Sequence, residues 1–317
     1  MRFLAFIAGV LFSVPGFSQT YPGKPVRMVV AFPAGGIADI YARIISARVA
    51  ETWGQPVVVE NRTGAGGNIA AEHVARSAPD GYTLLMGSIG THAVNVSLFA
   101  KLPFDPVKDF APVARVLEAE GLLVVHPSIP INSVADLISH SRANPGKLTF
   151  ASAGMGTASH LAGELFKAMA KVEMTHVPYK GNVPAITDLL AGQTSLLFAT
   201  MPTVLPHAKA GKLRAIATIG SARASATPEL PTIGESLPGF EVNNWIALFA
   251  PAGTSREIVM RWNAEVNRIM RSPDIQARLP GEGARFMPNT PDQFAAFVKS
   301  EIAKWAPVVK ASGAHVE

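Results

Sequence analysis

Leu148-Thr149-Phe150-Ala151-Ser152-Ala153-Gly154-Met155-Gly156-Thr157 is the stretch that decides the fold. It starts as a short apolar run, passes through a turn with two glycines, and ends on a threonine that opens a helix. That helix carries Leu161, Leu165, Phe166 and Met169 on its apolar side. Strand, glycine turn, helix is the repeating unit of an α/β fold, and ligands gather at such turns beyond the carboxyl ends of the strands. The unit occurs three times upstream. Residues 26–31 run into Pro33-Ala34-Gly35-Gly36, and the stripe of Ile40, Tyr41, Ile44, Ile45 and Val49 follows until Gly54 stops it. Val57-Val58-Val59-Glu60 runs into Thr63-Gly64-Ala65-Gly66-Gly67, and Tyr82-Thr83-Leu84-Leu85-Met86 into Gly87-Ser88-Ile89-Gly90-Thr91.

Downstream the plan repeats. Residues 122–126 read as a strand. Ser133-Val134-Ala135-Asp136 has capping-box spacing, with Asp in the usual Glu or Gln place, and opens a helix ending near Asn144-Pro145-Gly146. Residues 184–190 read as a short helix, with Pro near its start and Gly192 past its end. Strands are expected at 196–198 and 213–219. A strand within 243–250 leads back toward the first half. Ile258, Val259, Trp262, Val266 and Ile269 make another helical stripe. The last helix opens at the capping box Thr290-Pro291-Asp292-Gln293 and turns Phe294, Phe297, Val298, Ile302, Trp305 and Val309 inward. The expected architecture is two α/β lobes, 19–122 with 244–317 and 123–243. Crossing segments near 121–124 and 240–246 join them. Two crossings make a hinge, and the cleft between lobes is the expected small-molecule site.

Composition narrows the function. A chain of 317 residues suits about two domains. With 48% hydrophobic and 16% charged residues it is not disordered. The chain has 0 cysteines, which excludes disulfides and cysteine-based metal or nucleophile sites. Met1 and Arg2, the apolar run 3–14, and the small residues Gly16 and Ser18 read as a cleavable export signal over 1–18. No later run reaches the ~18 apolar residues of a membrane span. The net charge of +5 is spread thinly, a surface suited to anionic solutes rather than to nucleic acid. The Gly64 turn fails the dinucleotide pattern at Ile69, and the Gly154 turn fails it at Ser159. No Gly-x-Ser-x-Gly elbow occurs. The 8 histidines contain no pair at metal-ligand spacing. No cofactor and no metal are expected, and a binding protein is expected rather than an enzyme.

Three turns are candidate contacts. At 152–157, backbone N–H groups and the positive end of a helix dipole favour an anion. Ser152 and Thr157 add hydroxyls, and His160 lies one turn on. The same residues also read as a plain helix cap. At 32–39, Gly35 and Gly36 admit a ligand close to the backbone, and Asp39 either reaches the cleft or caps the helix. At 87–95, Thr91 and Asn95 are candidate donors, and His92 packs or faces solvent. The Gly64 turn serves tight strand–helix packing.

Many short motifs stand in one order. They include Tyr21-Pro-Gly-Lys-Pro-Val-Arg, Phe32-Pro-Ala-Gly-Gly, Gly54-Gln-Pro-Val-Val-Val-Glu-Asn-Arg and Gly64-Ala-Gly-Gly-Asn. Further along come Ala78-Pro-Asp-Gly-Tyr-Thr-Leu, Asp105-Pro-Val-Lys-Asp-Phe, His160-Leu-Ala-Gly-Glu-Leu, Val177-Pro-Tyr-Lys-Gly, Ala210-Gly-Lys-Leu-Arg-Ala and Ala250-Pro-Ala-Gly-Thr. From Tyr21 to the C-terminus the chain resembles the tripartite tricarboxylate transporter substrate-binding family, the Bug receptors. The resemblance implies a periplasmic binding protein type II-like fold, a Venus flytrap, delivering a small organic carboxylate to the membrane subunits of a transporter. It implies that the ligand carboxylate is held by backbone N–H groups, hydroxyls and waters. The residues it points to are Phe32, Ala34, Gly35, Gly36 and Asp39; Ser88, Thr91 and His92; Ser152, Gly156, Thr157 and His160; and Ala199. Two departures stand out. Ala199 occupies a place where an aspartate is common, so an acid for a ligand ammonium is missing. Met155 sits where small or polar residues are usual and is expected to form an apolar wall. Together they imply a non-amino acid ligand with an apolar or aromatic body. Two alternatives carry less weight: a sensory receptor for a signalling partner, and a periplasmic hydrolase using Ser152 and His160.

Overall fold

The computed structural model describes residues 21–316; the expected export signal lies outside them. In chain order the first elements are β1 (Val26–Val30), α1 (Ile37–Trp53), β2 (Val57–Asn61), α2 (Asn68–Ala75) and β3 (Thr83–Ser88). A π-helical turn (Gly90–Val94) leads into α3 (Asn95–Leu98), and β4 (Phe110–Ala119) follows. Next come β5 (Gly121–Val125), α4 (Val134–Ala143), β6 (Thr149–Ser152), α5 (Ala158–Ala170) and β7 (Thr175–Pro178). Then come α6 (Asn182–Leu190), β8 (Leu196–Thr200), α7 (Met201–Lys209) and β9 (Arg214–Thr218). The chain closes with β10 (Asn244–Pro251), α8 (Arg256–Met270), α9 (Pro273–Arg278), β11 (Ala284–Arg285) and α10 (Pro291–Ser312).

The strands form two sheets, one per lobe. The first, of order β11-β4-β10-β3-β1-β2, has parallel β1, β2 and β3 beside antiparallel β10 and β4. The second, of order β7-β6-β8-β5-β9, has parallel β6, β7 and β8 beside antiparallel β5 and β9. Parallel strands covered by helices account for the near-continuous apolar runs read in 26–31 and 83–86.

The passage between sheets is shorter than expected. Gly121 already pairs with Thr200 in the second sheet, and Ala119 still pairs with Asn244 in the first. Glu120 alone makes the step. Its N–H donates to Gly283 C=O and its C=O accepts from Met201 N–H, so one backbone unit touches both lobes. The return runs through Val242, whose N–H donates to Ile219 C=O. Among the elements not read from sequence are β4, β7, α7, α9 and β11. β4 carries Pro112, Arg115 and Glu118 and shifts register twice against β10, which blurs its alternation. β7 is short and ends on Pro178. α7 holds Pro202 and Pro206, which mask its helical pattern.

One core runs through both lobes. It joins Val29, Leu85 and Phe249 of the first to Phe150, Phe166 and Phe198 of the second, with Phe294, Trp305 and Val309 of α10 between them. The α10 capping box forms as read: Thr290 accepts from Gln293 N–H, and the Gln293 side chain accepts from Thr290 N–H. Within α10, the buried Glu301 carboxylate accepts from the indole N–H groups of Trp245 and Trp305, at 2.9 and 3.2 Å.

The lobes meet at close contacts where only glycine fits. Gly66 of the first lobe has φ +63° and lies against the Met155 carbonyl of the second. Gly156, with φ +78°, lies against the Asn95 side chain. Gly181 lies against Pro33. Any side chain at Gly66 would strike a carbonyl of the opposite lobe. Gly66→Ala is therefore expected to hold the lobes apart. Small-angle scattering should show a larger radius of gyration than for the native protein, and left-handed strain should cost about 1–2 kcal/mol in urea unfolding. An unchanged radius would show that these glycines do not set the approach.

Candidate ligand-binding site

A cavity with about 680 Å³ of unfilled space, its mouth included, lies between the lobes. The first lobe contributes Phe32 and Pro33, the start of α1 at Gly36, Ile37 and Ala38, and Ser88 at the end of β3. The second contributes Ala153, the start of α5 at Thr157, Ala158 and Ser159, and Asn182 and Val183 at the start of α6. Phe198, Ala199 and Thr200 at the end of β8, and Gly121, Ile219, Asn244 and Ile246 near the crossings, complete it.

The sequence explains why helix ends converge here. Each parallel strand delivers its chain to the same edge of its sheet, and each glycine turn then starts a helix at that edge. The α1 N-cap is Gly36, which has no side chain to cap the first N–H groups. On α5, Thr157 accepts from His160 N–H at 3.4 Å and donates to Gly154 C=O at 2.7 Å. That leaves the amides of Ala158 and Ser159 for a ligand. Two helix starts, one per lobe, therefore present uncapped N–H groups and positive dipole ends to one space. No residue lining the cavity carries a charge. An anion would be held here by amides and hydroxyls and not by an ion pair.

Of the sequence-expected residues, Phe32, Gly36, Ser88, Thr157 and Ala199 line the cavity. The others are not among the residues that line it. Gly35 N–H donates to Asp39 Oδ2 at 2.9 Å, and Ala34 precedes it in the same turn. Asp39 also accepts from Arg43 and from Asn61 Nδ2. Burial works to raise its pKa, but the bonds from Arg43, Gly35 and Asn61 outweigh it and hold the carboxyl below its usual range. Asp39 thus organises the turn. Thr91 accepts from Ser88 N–H and donates to Ser88 C=O, both at 3.0 Å. His92 is a core side chain: it is fully buried and stacks on Phe249 with ring centroids 3.6 Å apart. Its Nδ1 meets Thr91 Oγ1 at 2.8 Å, and burial pushes its pKa down to about 3.

Ser152 bonds His176 Nε2 at 2.6 Å and accepts from Gly154 N–H. His160 accepts from Gly156 N–H at 3.3 Å and stacks on His176. The partner of Ser152 is therefore His176 and not His160. The rings against His176 are Phe150 and His160, and no carboxylate is among its described contacts. Gly156 is spent on the lobe contact with Asn95. Asn95 Nδ2 donates to Asn68 Oδ1 at 2.6 Å, away from the cavity. Met155 lines a separate crevice with Gly64, Gly66, Tyr179 and Lys180. The apolar wall of the cavity comes instead from Phe32, Val183, Phe198, Ile219 and Ile246. Sequence reading missed Asn182, Thr200 and Asn244. Asn182 follows the turn at Lys180-Gly181 and Thr200 ends a strand, but neither lies in a glycine-rich strand–turn–helix unit.

Comparison with known proteins fits this geometry. Residues 41–314 match the tripartite tricarboxylate transporter family receptor. The chain belongs to that receptor family. It is 38% identical to Protein BugT of Bordetella pertussis over 314 residues, covering 98% of this chain and 96% of that protein. A protein of R. palustris solved with adipate superposes with a TM-score of 0.90 at 39% identity, covering 93% of this receptor and all of that chain. MatC from Rhodopseudomonas palustris with bound malate superposes at 0.87 with 39% identity, covering 91% of this receptor and all of that chain. The receptor shares the two-lobed fold of the periplasmic binding protein BugD, with a TM-score of 0.89 at 34% identity over 94% of this receptor and all of that chain. None of the described helices is long and apolar enough to cross a membrane.

The buried imidazoles make stability depend on pH. Burial lowers His92 to about 3, His160 to about 4 and His176 to about 3. Lys167 adds to the shift at His160, and His160 and Lys167 add to it at His176. The unfolded chain takes up protons near 6.5, where the folded chain does not. The stability that these groups contribute is thus complete above about pH 6.5. It falls as pH drops toward the folded values, by about 1.4 kcal/mol per pH unit for each histidine. Urea midpoints between pH 7 and 5 should decline, and His92→Phe should make that decline shallower. A variant slope equal to that of the native protein would show that His92 titrates alike in both states.

Proposed function

We propose that the receptor works in the periplasm. There it captures one small organic carboxylate between its lobes and hands it to the membrane subunits of a tripartite tricarboxylate-type transporter. It performs no chemistry on its ligand. The observation that carries this reading is the meeting of the α1 and α5 starts over an uncharged cavity. Donors come from both lobes, so a carboxylate satisfied by both favours the closed arrangement. Relatives solved with adipate and malate support an acid as ligand. Ala199 lines the cavity, and no lining side chain is an acid that would receive an ammonium, which favours a non-amino acid. Ser152 and His176 support the turn beside α5 and need no reactive role.

A titration tests the anchor. Ala158 lines the cavity at the start of α5, where an acidic residue is favourable to the helix itself. Ala158→Asp should keep or raise the melting temperature yet weaken carboxylate binding at least a hundredfold in calorimetry, with Ala158→Asn falling between. Equal affinities in the Asp and Asn variants would show that the carboxylate does not approach α5.

A further inference from the structure

We propose that Asn95 sets how readily the empty receptor closes. Closure presses its amide oxygen against the opposite lobe and supplies no donor, and a bound ligand must offset that loss. The assignment rests on the capture reading above.

The seam between the lobes sets oxygens against carbon. Gly66 of the first lobe lies against the Met155 carbonyl of the second, and Gly90 of the first against the Gly156 carbonyl. Gly156 of the second lobe lies in turn against the Asn95 side-chain oxygen of the first. In all three contacts an acceptor faces a glycine. No hydrogen bond to either carbonyl is among the described contacts. The Gly156 N–H is turned within its own lobe and donates to His160 Nδ1 at 3.3 Å. Cα–H groups opposite an oxygen return only a weak bond. Closing therefore takes water from acceptors and gives back little in exchange.

Asn95 is the side chain in this set. It opens α3 and is fully buried. Its Nδ2 donates to Asn68 Oδ1 at 2.6 Å. Both residues belong to the first lobe, so that bond is the same whether the lobes are together or apart. Its Oδ1 is buried and has no partner among the described residues. The group that covers it, Gly156, comes from the other lobe. Separation of the lobes returns water to this oxygen, and closure removes it. A buried acceptor left without a donor is expensive. The empty receptor is thereby biased toward the open form, and the ligand closes it only through its preference for the closed one. The same bias helps the receptor to reopen and give its ligand up.

Two substitutions with opposite expected signs test this on the purified receptor. The chain has 0 cysteines, so Arg76→Cys on the first lobe and Lys147→Cys on the second, both exposed, can carry spin labels for distance measurement. Asn95→Leu removes the acceptor. It should move the ligand-free distances toward the closed population and tighten binding of adipate or malate about tenfold in calorimetry. Asn95→Asp keeps the shape but would bury a charge on closing. It should move the distances toward the open population and weaken binding by about thirtyfold or more. Asn95→Leu also takes the donor from Asn68, which lowers the melting temperature, but that loss lies within one lobe and is equal in both forms. A packing role alone would weaken binding in both variants and leave the ligand-free distances native; that result overturns the assignment. So does a native receptor already as closed without ligand as the Asn95→Leu variant. If neither acid binds the native receptor, the capture reading fails for these acids, and the ligand-free distances alone uphold or overturn the role of Asn95.

Discussion

Taking an anion out of water costs far more than one contact returns, and everything about this cleft follows from how that cost is met. An arginine would meet it with a fixed charge; here no charged side chain lines the cavity. In the proposed reading the compensation comes instead from the backbone dipoles at two helix starts, α1 from one lobe and α5 from the other. Dipoles act over short range, so both helix ends must be close to the same atoms. The anion site is therefore complete only when the lobes are together. A ligand that draws donors from both lobes links affinity and closure in one equilibrium.

That requirement explains features that otherwise look unrelated. The lobes approach closely, which puts glycine at Gly66 against the Met155 carbonyl and at Gly156 against the Asn95 side chain. The loops bearing the donors must not sag, and buried side chains behind them supply the stiffness. Asp39 ties Gly35, Arg43 and Asn61 together. Thr91 binds both backbone groups of Ser88. Ser152, His176 and His160 form a packed column under the α5 turn. These polar residues have the chemistry of ligand contacts and the position of scaffolding. The histidines among them are kept neutral by burial, so the scaffold adds no charge of its own to the site. Helix α10 packs into the core common to both lobes.

The sequence by itself determined the strand–glycine–helix units and the α10 capping box, and it put the first crossing one residue too late, inside β5. Hydrophobic period, glycine and capping residues act over a few neighbours, and so they are written locally. It placed Phe32, Gly36, Ser88 and Thr157 in strand–turn–helix units, and the family resemblance picked Ala199 in a later strand; all five line the cavity. It did not show β4, whose alternation is broken by two register shifts, or α7, whose prolines hide a helix. Only the tertiary structure decided which side of each turn faces the ligand. Asp39 turns to Asn61, 22 residues away, and Ser152 to His176, 24 residues away. His92 lies flat on Phe249 from the opposite end of the chain. Asn182 enters the site because Thr200, 18 residues on, holds its amide. Such pairings depend on which strands become neighbours in a sheet, and that is set by packing across the whole chain rather than by any local stretch of it.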